Sequence, residues 1–527
     1  MRLALSMCLA AALVLGQTPP PAAASIEGTV TDAITGVPIA AITVSLIGPE
    51  ILSPVKTDEQ GHYLARGLAA GQYLVLAARS AGYAANSMRV RLAPAQDLKG
   101  ADLKLDREAV ISGRILDRDG NAVPGARVSI RGEGYRDGRA ILTGFHSATA
   151  NDRGEFRIDG VSAGKYYFEA DVKPLPVRKR LPEEMATEDK PPVIADVRTY
   201  YGNSSSLAGA APLTLTAGQQ LDGFDLTLLR ERTMCAGSAI EDAEAPGGRV
   251  GAIVSELMPM SQSRVAGGGV GSGEAFEICG LPAGSYRLWS FTTRGRPRYA
   301  AQTFTLGNHS AKLPRMSMAG TVAVKGKVTV AGAQPEDPLP RVRVGLGVKD
   351  RIDIAGEELL AGIDPKGSFV ITGALNDDYW LEVSGLPVGF YVISATQNGR
   401  EARRDPVRAG AGDLGIVLGS DGPSFSGQVT GTDSHPIANA TVVLTAAPLP
   451  AVVGPGQIFT TVTDQNGQFA LQNMQPGEYR AMVFGSLAVD EAGSPEFLRA
   501  HVAQALTVTL APHERKMQTL SPLDERQ

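Results

Sequence analysis

Gly61 to Tyr73 reads GHYLARGLAAGQY, and its spacing decides the fold. The aromatic Tyr63 is followed at four, eight and ten residues by Gly67, Gly71 and Tyr73. The same ruler fits Phe156, Gly160, Gly164 and Tyr166, then Phe276, Gly280, Gly284 and Tyr286. It returns at Phe369, Gly373, Asp377 and Tyr379, and at Phe469, Asn473, Gly477 and Tyr479. Asp and Asn are the only substitutes at the glycine positions, and they tolerate left-handed backbone best after glycine. Asp58, Asn151, Asp364 and Asp464 each stand three residues before a glycine (Gly61, Gly154, Gly367, Gly467), an Asx-first, Gly-last β-turn signature. The stretch therefore reads turn, strand, tight turn, strand.

Period-two alternation supports strands. Tyr63/Ala65, Phe156/Ile158, Phe276/Ile278, Phe369/Ile371 and Phe469/Leu471 place apolar side chains on one face before the first glycine. The closing Tyr opens a further apolar strand, as in YLVLAA from Tyr73 and YYFEA from Tyr166. A repeat of roughly a hundred residues is too long for a solenoid and suits whole small domains in series.

Outward from this stretch, each unit begins with an opening hairpin. It is IEGTVTDAITGVPIAAITVSL from Ile26, ISGRILDRDGNAVPGARVSI from Ile111 and FSGQVTGTDSHPIANATVVL from Phe425. Looser versions are VKGKVTV at Val324 with RVRVGLGV from Arg341, and CAGSAI at Cys235 with RVGAIVSEL from Arg249. Closing strands follow at ADLKL (Ala101–Leu105), FDLTLL (Phe224–Leu229) and LGIVL (Leu414–Leu418). These motifs resemble the carboxypeptidase regulatory-like domain, a small transthyretin-like β-sandwich grouped with starch-binding-like folds. The resemblance covers nearly the whole chain after its first 24 residues and is strongest in the first, second and fifth units. It implies an all-β chain of five tandem transthyretin-like antiparallel sandwiches. Their expected bounds are 25–106, 107–230 with a long insertion at 172–197, a divergent 231–317, 318–419 and 420–527. Such domains are appended to peptidases, outer-membrane receptors and secreted proteins, so the resemblance speaks to fold more than to function.

Composition agrees with a turn-rich β protein: 61 Gly and 34 Pro, with 43% hydrophobic against 20% charged residues, leave enough apolar side chain for cores. A net charge of -5 on 527 residues argues against nucleic acid as a main partner. Residues 1–24 carry Arg2, the apolar run LALSMCLAAALVLG and small residues around PPPAAA, the pattern of a cleaved signal peptide. Cys8 lies in that run behind Met7, where a lipoprotein signal needs a small residue. No later segment approaches the roughly 20 apolar residues of a membrane span. The expectation is a periplasmic or secreted protein that does not span the membrane.

Catalytic and metal motifs are not legible. The six histidines, at 62, 146, 309, 435, 501 and 513, show no zinc spacing, and no Gly-x-Ser-x-Gly elbow occurs. The Asp/Asn turns lack the alternating oxygen ligands and closing carboxylate of a calcium loop. GGGVGSG, Gly267–Gly273, lacks the Lys-Ser/Thr of a phosphate loop and reads as a hairpin tip. The insertion VKPLPVRKRLPEEMATEDKPPVIADV, Val172–Val197, reads as a long solvated excursion. The expected function is thus a non-catalytic, cofactor-free binding or scaffold protein, its partner a protein or glycan at the cell envelope.

Two features remain open at this level. Trp289 and Trp380 alternate away from the core-facing Tyr286 and Tyr379, so each is either a sugar-stacking platform, the carbohydrate-binding alternative, or an interdomain packing residue. Cys235 and Cys279 are the cysteines left after signal cleavage, and an exported chain pairs them by default. Such a disulfide closes a loop of 45 residues, worth about 4 kcal/mol in the chain-entropy model. Alternation sets Cys235 at the inward place of Ile26, Ile111, Val324 and Phe425, but Cys279 at the outward place of Arg66, Asp159, Thr372 and Gln472. Two separate thiols are therefore the competing expectation.

Overall fold

The computed structural model describes residues 24–523 apart from 51, 81, 137, 173–174, 182–189, 259–260, 293–295, 335–336, 349–358, 450–452 and 486–490. The expected signal peptide, with Cys8, lies outside them except for Ala24, which begins the first strand. Among the described residues no helix is long and apolar enough to cross a membrane.

The chain is all-β, and its strands assemble into ten sheets among the described residues. It divides into two compact units, Met1–Ser80 with Ala85–Leu105, and Ala81–Ala84 with Asp106–Gln527. In the first unit the opening strand Ala24–Asp32 pairs antiparallel with His62–Leu68 (Ile26 opposite Ala65) and parallel with Leu103–Leu105 (Val30 opposite Leu103). The second sheet orders Val55–Lys56, Thr43–Ile47, Gly71–Ala77 and Asn86–Leu92. Ile26, Val30, Tyr63, Tyr73 and Val75 fill the space between the sheets, each at most 1% exposed.

The same pairings return four times in Asp106–Gln527. Ile111 opposes Ile158 and Ile115 opposes Leu226; Ala236 opposes Ile278 and Ile240 opposes Met316. Val324 opposes Ile371 and Val328 opposes Ile416; Phe425 opposes Leu471 and Val429 opposes Leu520. Each set has its own apolar core. In the fourth, Tyr391–Gln397 crosses to lie beside the closing strand Leu414–Gly419.

The expected opening hairpin is an arch instead. Ala24–Asp32 and Thr43–Ile47 belong to different sheets and touch near their turn only through the isolated bridge Thr31 to Pro38. Both strands alternate toward one interior, so the chain between them passes from one layer to the other.

The repeated glycine stretch crosses the same way, from the sheet of His62–Leu68 to that of Gly71–Ala77. Its first glycine position is left-handed in every copy: φ is 78° at Gly67, 80° at Gly160, 95° at Gly280, 82° at Gly373 and 65° at Asn473. Asp377, at a second glycine position, is not left-handed; it caps Asp378 N–H and pairs with Arg287, so its presence there has an electrostatic reason. The closing Tyr hydroxyl ties the crossing. Tyr73, Tyr166, Tyr286 and Tyr479 donate to the carbonyl four residues back at 2.6–2.9 Å, and Tyr379 accepts from Leu375 N–H at 2.8 Å. Each preceding turn is held by one side-chain oxygen, as where Asp58 Oδ1 accepts from Gln60 and His62 N–H. Asn151, Asp364 and Asp464 repeat this.

Domains in series with small mutual interfaces are the expectation, and within Asp106–Gln527 side chains bridge neighbouring sandwiches, as where Asn473 donates to Pro387 O. Loss of one anchor is therefore expected to be felt beyond its own sandwich. Tyr479→Phe, which removes the 2.6 Å bond to Gln475 O, is expected to lower its stability by about 1 kcal/mol. Tyr479→Ala should lower it by about 3–5 kcal/mol. Calorimetry is expected to show the main transition moving as a whole, and an isolated low-temperature peak for the last sandwich would count against this coupling.

Candidate functional site

Charged side chains are concentrated where the segment 107–230 meets the segment 231–317, and the insertion Val172–Val197 supplies several of them. Its described residues are exposed or half-buried apart from Val197, and 173–174 and 182–189 lie outside the described residues, yet parts of it are paired. Arg178–Arg180 pairs antiparallel with Ala275–Leu281, and Val193–Asp196 pairs with Arg230–Glu241, so the insertion adds a strand to each edge of that sheet. An uncovered edge presents unpaired N–H and C=O groups, and these two strands satisfy them. Ion pairs fix the additions: Lys179 to Glu274 at 2.7 Å and Arg230 to Asp196 at 2.9 Å. Between them Glu277, fully buried, accepts from Arg180 Nε at 3.1 Å and from Lys190 Nζ at 2.5 Å. A buried carboxylate is tolerable only with such partners.

Cys235 and Cys279 sit beside Glu277. They are register partners on adjacent strands, with Cα atoms 4.0 Å apart, and are joined by a disulfide. Antiparallel partners project to one face, so the opposition of inward Cys235 and outward Cys279 does not arise. Ala236, not Cys235, opposes Ile278 and holds the inward place of Ile26, while Cys235 opposite Cys279 holds the place of Ser25 opposite Arg66. Ser238 consequently opposes Phe276, where the other copies oppose Gly28, Gly113, Gly326 and Gly427 to the aromatic. A Cβ on Gly28 would collide with Ala101 O. Here the side chain is accommodated because Ser238 Oγ donates to the corresponding carbonyl, Pro314 O, at 2.9 Å.

A second cluster centres on Arg198, whose side chain is 8% exposed. It donates to Asp171 Oδ2 at 2.6 Å and Arg264 O at 3.2 Å, and lies 3.9 Å from Glu169 and 3.7 Å from Glu256. Burial opposes ionisation of Glu169, but Arg198 and Arg131 with hydrogen bonds from Ser129 and Tyr200 outweigh it, holding the carboxyl below its ordinary value. Burial raises Asp171 against the pull of Arg198. Glu256 is pushed up to about 7, first by burial and then by the charges of Glu169 and Asp171. Three carboxylates share one guanidinium, which holds Glu169 below its ordinary value while Asp171 and Glu256 stay above theirs.

Trp289 is not an open sugar platform. Trp289 is 2% exposed, packed with Ile253 and Tyr299, and partly covered by Leu375 of the following segment. The Arg287 guanidinium lies 4.0 Å from its ring centroid and donates to Asp377 Oδ2 at 2.6 Å. Trp380 is half-buried, with Arg139 at 3.4 Å from its centroid. Alternation does turn both away from the Tyr face, where Trp289 meets Leu375 of the following segment and Trp380 meets Arg139 of 107–230. Of the residues that build these junctions, Arg139, Arg180, Lys190, Arg198, Glu256, Glu277 and Arg287 were not singled out from sequence. Glu277 occupies a place held elsewhere by Leu64, Arg157, Val370 and Ala470, so its type carries no pattern.

The raised Glu256 gives a signed pH dependence. The folded state holds this proton up to about pH 7 while the unfolded chain releases it near 4.5, so stability falls as pH rises between the two and is level above. The effect of Glu256 is on the order of 3 kcal/mol, and Asp171 adds with the same sign. Glu256→Gln is expected to flatten the decline in denaturation midpoint between about pH 5 and 8; identical slopes for both proteins would reject the assignment.

Comparison with known proteins bears on these regions. The carboxypeptidase regulatory-like domain matches residues 25–106, 110–174 and 424–511. The matched regions leave out 231–419, where Ser238 replaces the opening glycine and one strand changes sheets. No curated protein matches the sequence. Among solved structures, the chain is similar to BcpA, the major pilin subunit of Bacillus cereus, at 11% identity over 79% of this chain and 99% of that one, with a TM-score of 0.17. GBS52, a minor pilin of Streptococcus agalactiae, is 11% identical over 38% and 94%, with a TM-score of 0.17. A putative adhesin from Bacteroides ovatus is 10% identical over 40% and 92%, with a TM-score of 0.15. Likeness at this level assigns neither partner nor activity. With the strand plan, the glycine crossings and the matched regions together, residues 25–106, 110–174 and 424–511 are carboxypeptidase regulatory-like domains of a multidomain β-sandwich protein.

Proposed function

We propose that the chain is an exported, non-catalytic binding or scaffold protein: a signal peptide at 1–24 and five sandwiches at 25–106, 107–230, 231–317, 318–419 and 420–527, acting on a protein or glycan at the cell envelope. The observation that carries this reading is the use of buried charge to join one sandwich to another within Asp106–Gln527. Arg198 links Glu169 and Asp171 to Glu256, Glu277 holds Arg180 and Lys190, and Arg287 holds Asp377. The hairpin of Arg127–Arg136 and Arg139–Thr149 reaches further, with Arg139 on Trp380 and Tyr135 against Gly493. A chain tied in this way holds its outer surfaces in fixed relation, as a scaffold requires.

Fractionation and intact-mass measurement test the export arm. The expected mature chain begins between residues 17 and 25, is found outside the cytoplasm, and has Cys235 and Cys279 blocked to alkylation until reduced. A cytoplasmic chain retaining residues 1–24, or two freely alkylated cysteines, would overturn it. For the binding arm, the mature chain is expected to retain a defined envelope protein or glycan in crosslinking and glycan-array experiments, and Trp289→Ala should weaken retention only in proportion to lost folding. Specific glycan binding abolished by Trp380→Ala with the fold intact would restore the sugar-platform reading.

A further inference from the structure

The buried face around the disulfide has a second capability. Cys235 Sγ, Cys279 Sγ and a carboxylate oxygen of Glu277 all lie within 4.8 Å of one another. The backbone fixes this, since Cys235 opposes Cys279 across two paired strands and Glu277 lies two residues before Cys279 on the same face. Cys235 and Glu277 are buried and Cys279 is half-buried, so the donors are sheltered, with Cys279 the most accessible of them. A positive charge already stands there: Lys190 Nζ is 2.5 Å from Glu277 Oε1 and 3.9 Å from Cys279 Sγ. The Lys190 side chain is 36% exposed and can withdraw toward solvent, while Arg180 remains on the other carboxylate oxygen at 3.1 Å.

We propose that, once the disulfide is reduced, Cys235, Cys279 and Glu277 form a binding site for a thiophilic divalent cation of the zinc type, with disulfide and metal mutually exclusive. Two thiolates and a carboxylate are donors that such an ion accepts, leaving a fourth position for water. The charge balance is even. Reduction adds two electrons and two protons to the sulphurs, and the ion then displaces those two protons. The site therefore gains no net charge from the exchange, although Lys190 and Arg180 are close by. Metal in place of the ammonium frees Lys190, so occupancy and the attachment of the insertion are linked.

The test uses the full chain carrying Cys8→Ser, which leaves these two cysteines. A phosphine reductant opens the disulfide, becoming the phosphine oxide with the oxygen of water, and is removed under anaerobic conditions. Cobalt(II) is then titrated. The expected result is one equivalent bound with a near-ultraviolet thiolate-to-cobalt charge-transfer band, displaced by Zn²⁺ and lacking in the unreduced chain. Glu277→Gln should weaken binding at least about tenfold with the band retained, because two thiolates remain. Lys190→Met, which removes the competing ammonium, should tighten it several-fold, a gain that misfolding would not produce. No charge-transfer band in the reduced chain, equal binding by the oxidised chain, or unchanged affinity in both variants would each overturn the site.

Discussion

The crossing between the two sheets of each sandwich is the constraint on which the remaining structure depends. Within a few residues the chain must leave one layer and begin a strand in the other, which requires a left-handed residue at Gly67, Gly160, Gly280, Gly373 and Asn473. The following tyrosine then anchors the crossing from inside: its ring fills the core while its hydroxyl satisfies a backbone group four residues earlier. A phenylalanine would fill the same space but leave that group without its partner. Asn473 shows how the constraint can be met without glycine, since it takes φ 65° and its side chain donates to Leu386, Pro387 and Phe390 carbonyls in the preceding segment.

Much of this was legible because it is local. Asp58 to Tyr73 contains its own turn oxygen, its own left-handed position and its own anchor, and each copy repeats them in sequence. What alternation cannot tell is which sheet a strand joins, so Ala24–Asp32 and Thr43–Ile47 read as a hairpin although they face one another across the core. The place of Cys235 is illegible for a related reason: Gly237 invites alignment with Gly28, a one-residue slip inverts each inside–outside assignment, and only the partner strand shows that Ser238 holds that place. The pairing of 178–180 and 193–196 was missed because strands that finish another sheet's edge need no apolar alternation of their own. Val193 and Ile194 are 63% and 66% exposed although both are paired.

The buried charges pose a different problem, since desolvating them opposes folding. Their positions suggest what they contribute in return. Arg198 donates to Asp171 in its own sandwich and to Arg264 O in the next, with Glu256 of the next sandwich 3.7 Å away. An apolar contact at this place would tolerate rotation of one sandwich on the other. A guanidinium with directed partners on both sides does not, and a misplaced partner would leave a charge buried alone. Glu277 restricts the insertion by the same logic, because Arg180 and Lys190 bind different oxygens of one carboxylate.

The two tryptophans extend this to the segment 318–419. A large aromatic on the outer face of a sheet favours association with whatever apolar surface arrives first. Here arginines cover both rings: Arg287 shields Trp289 and reaches on to Asp377, while Arg139, from 107–230, shields Trp380. Each contact of this kind contributes roughly 0.5–2 kcal/mol, more as water is excluded. The segment 318–419 is thereby held by side chains from two preceding segments at once. It cannot turn about either contact without disturbing the other, and so segments that read in sequence as beads on a string are tied together at this point.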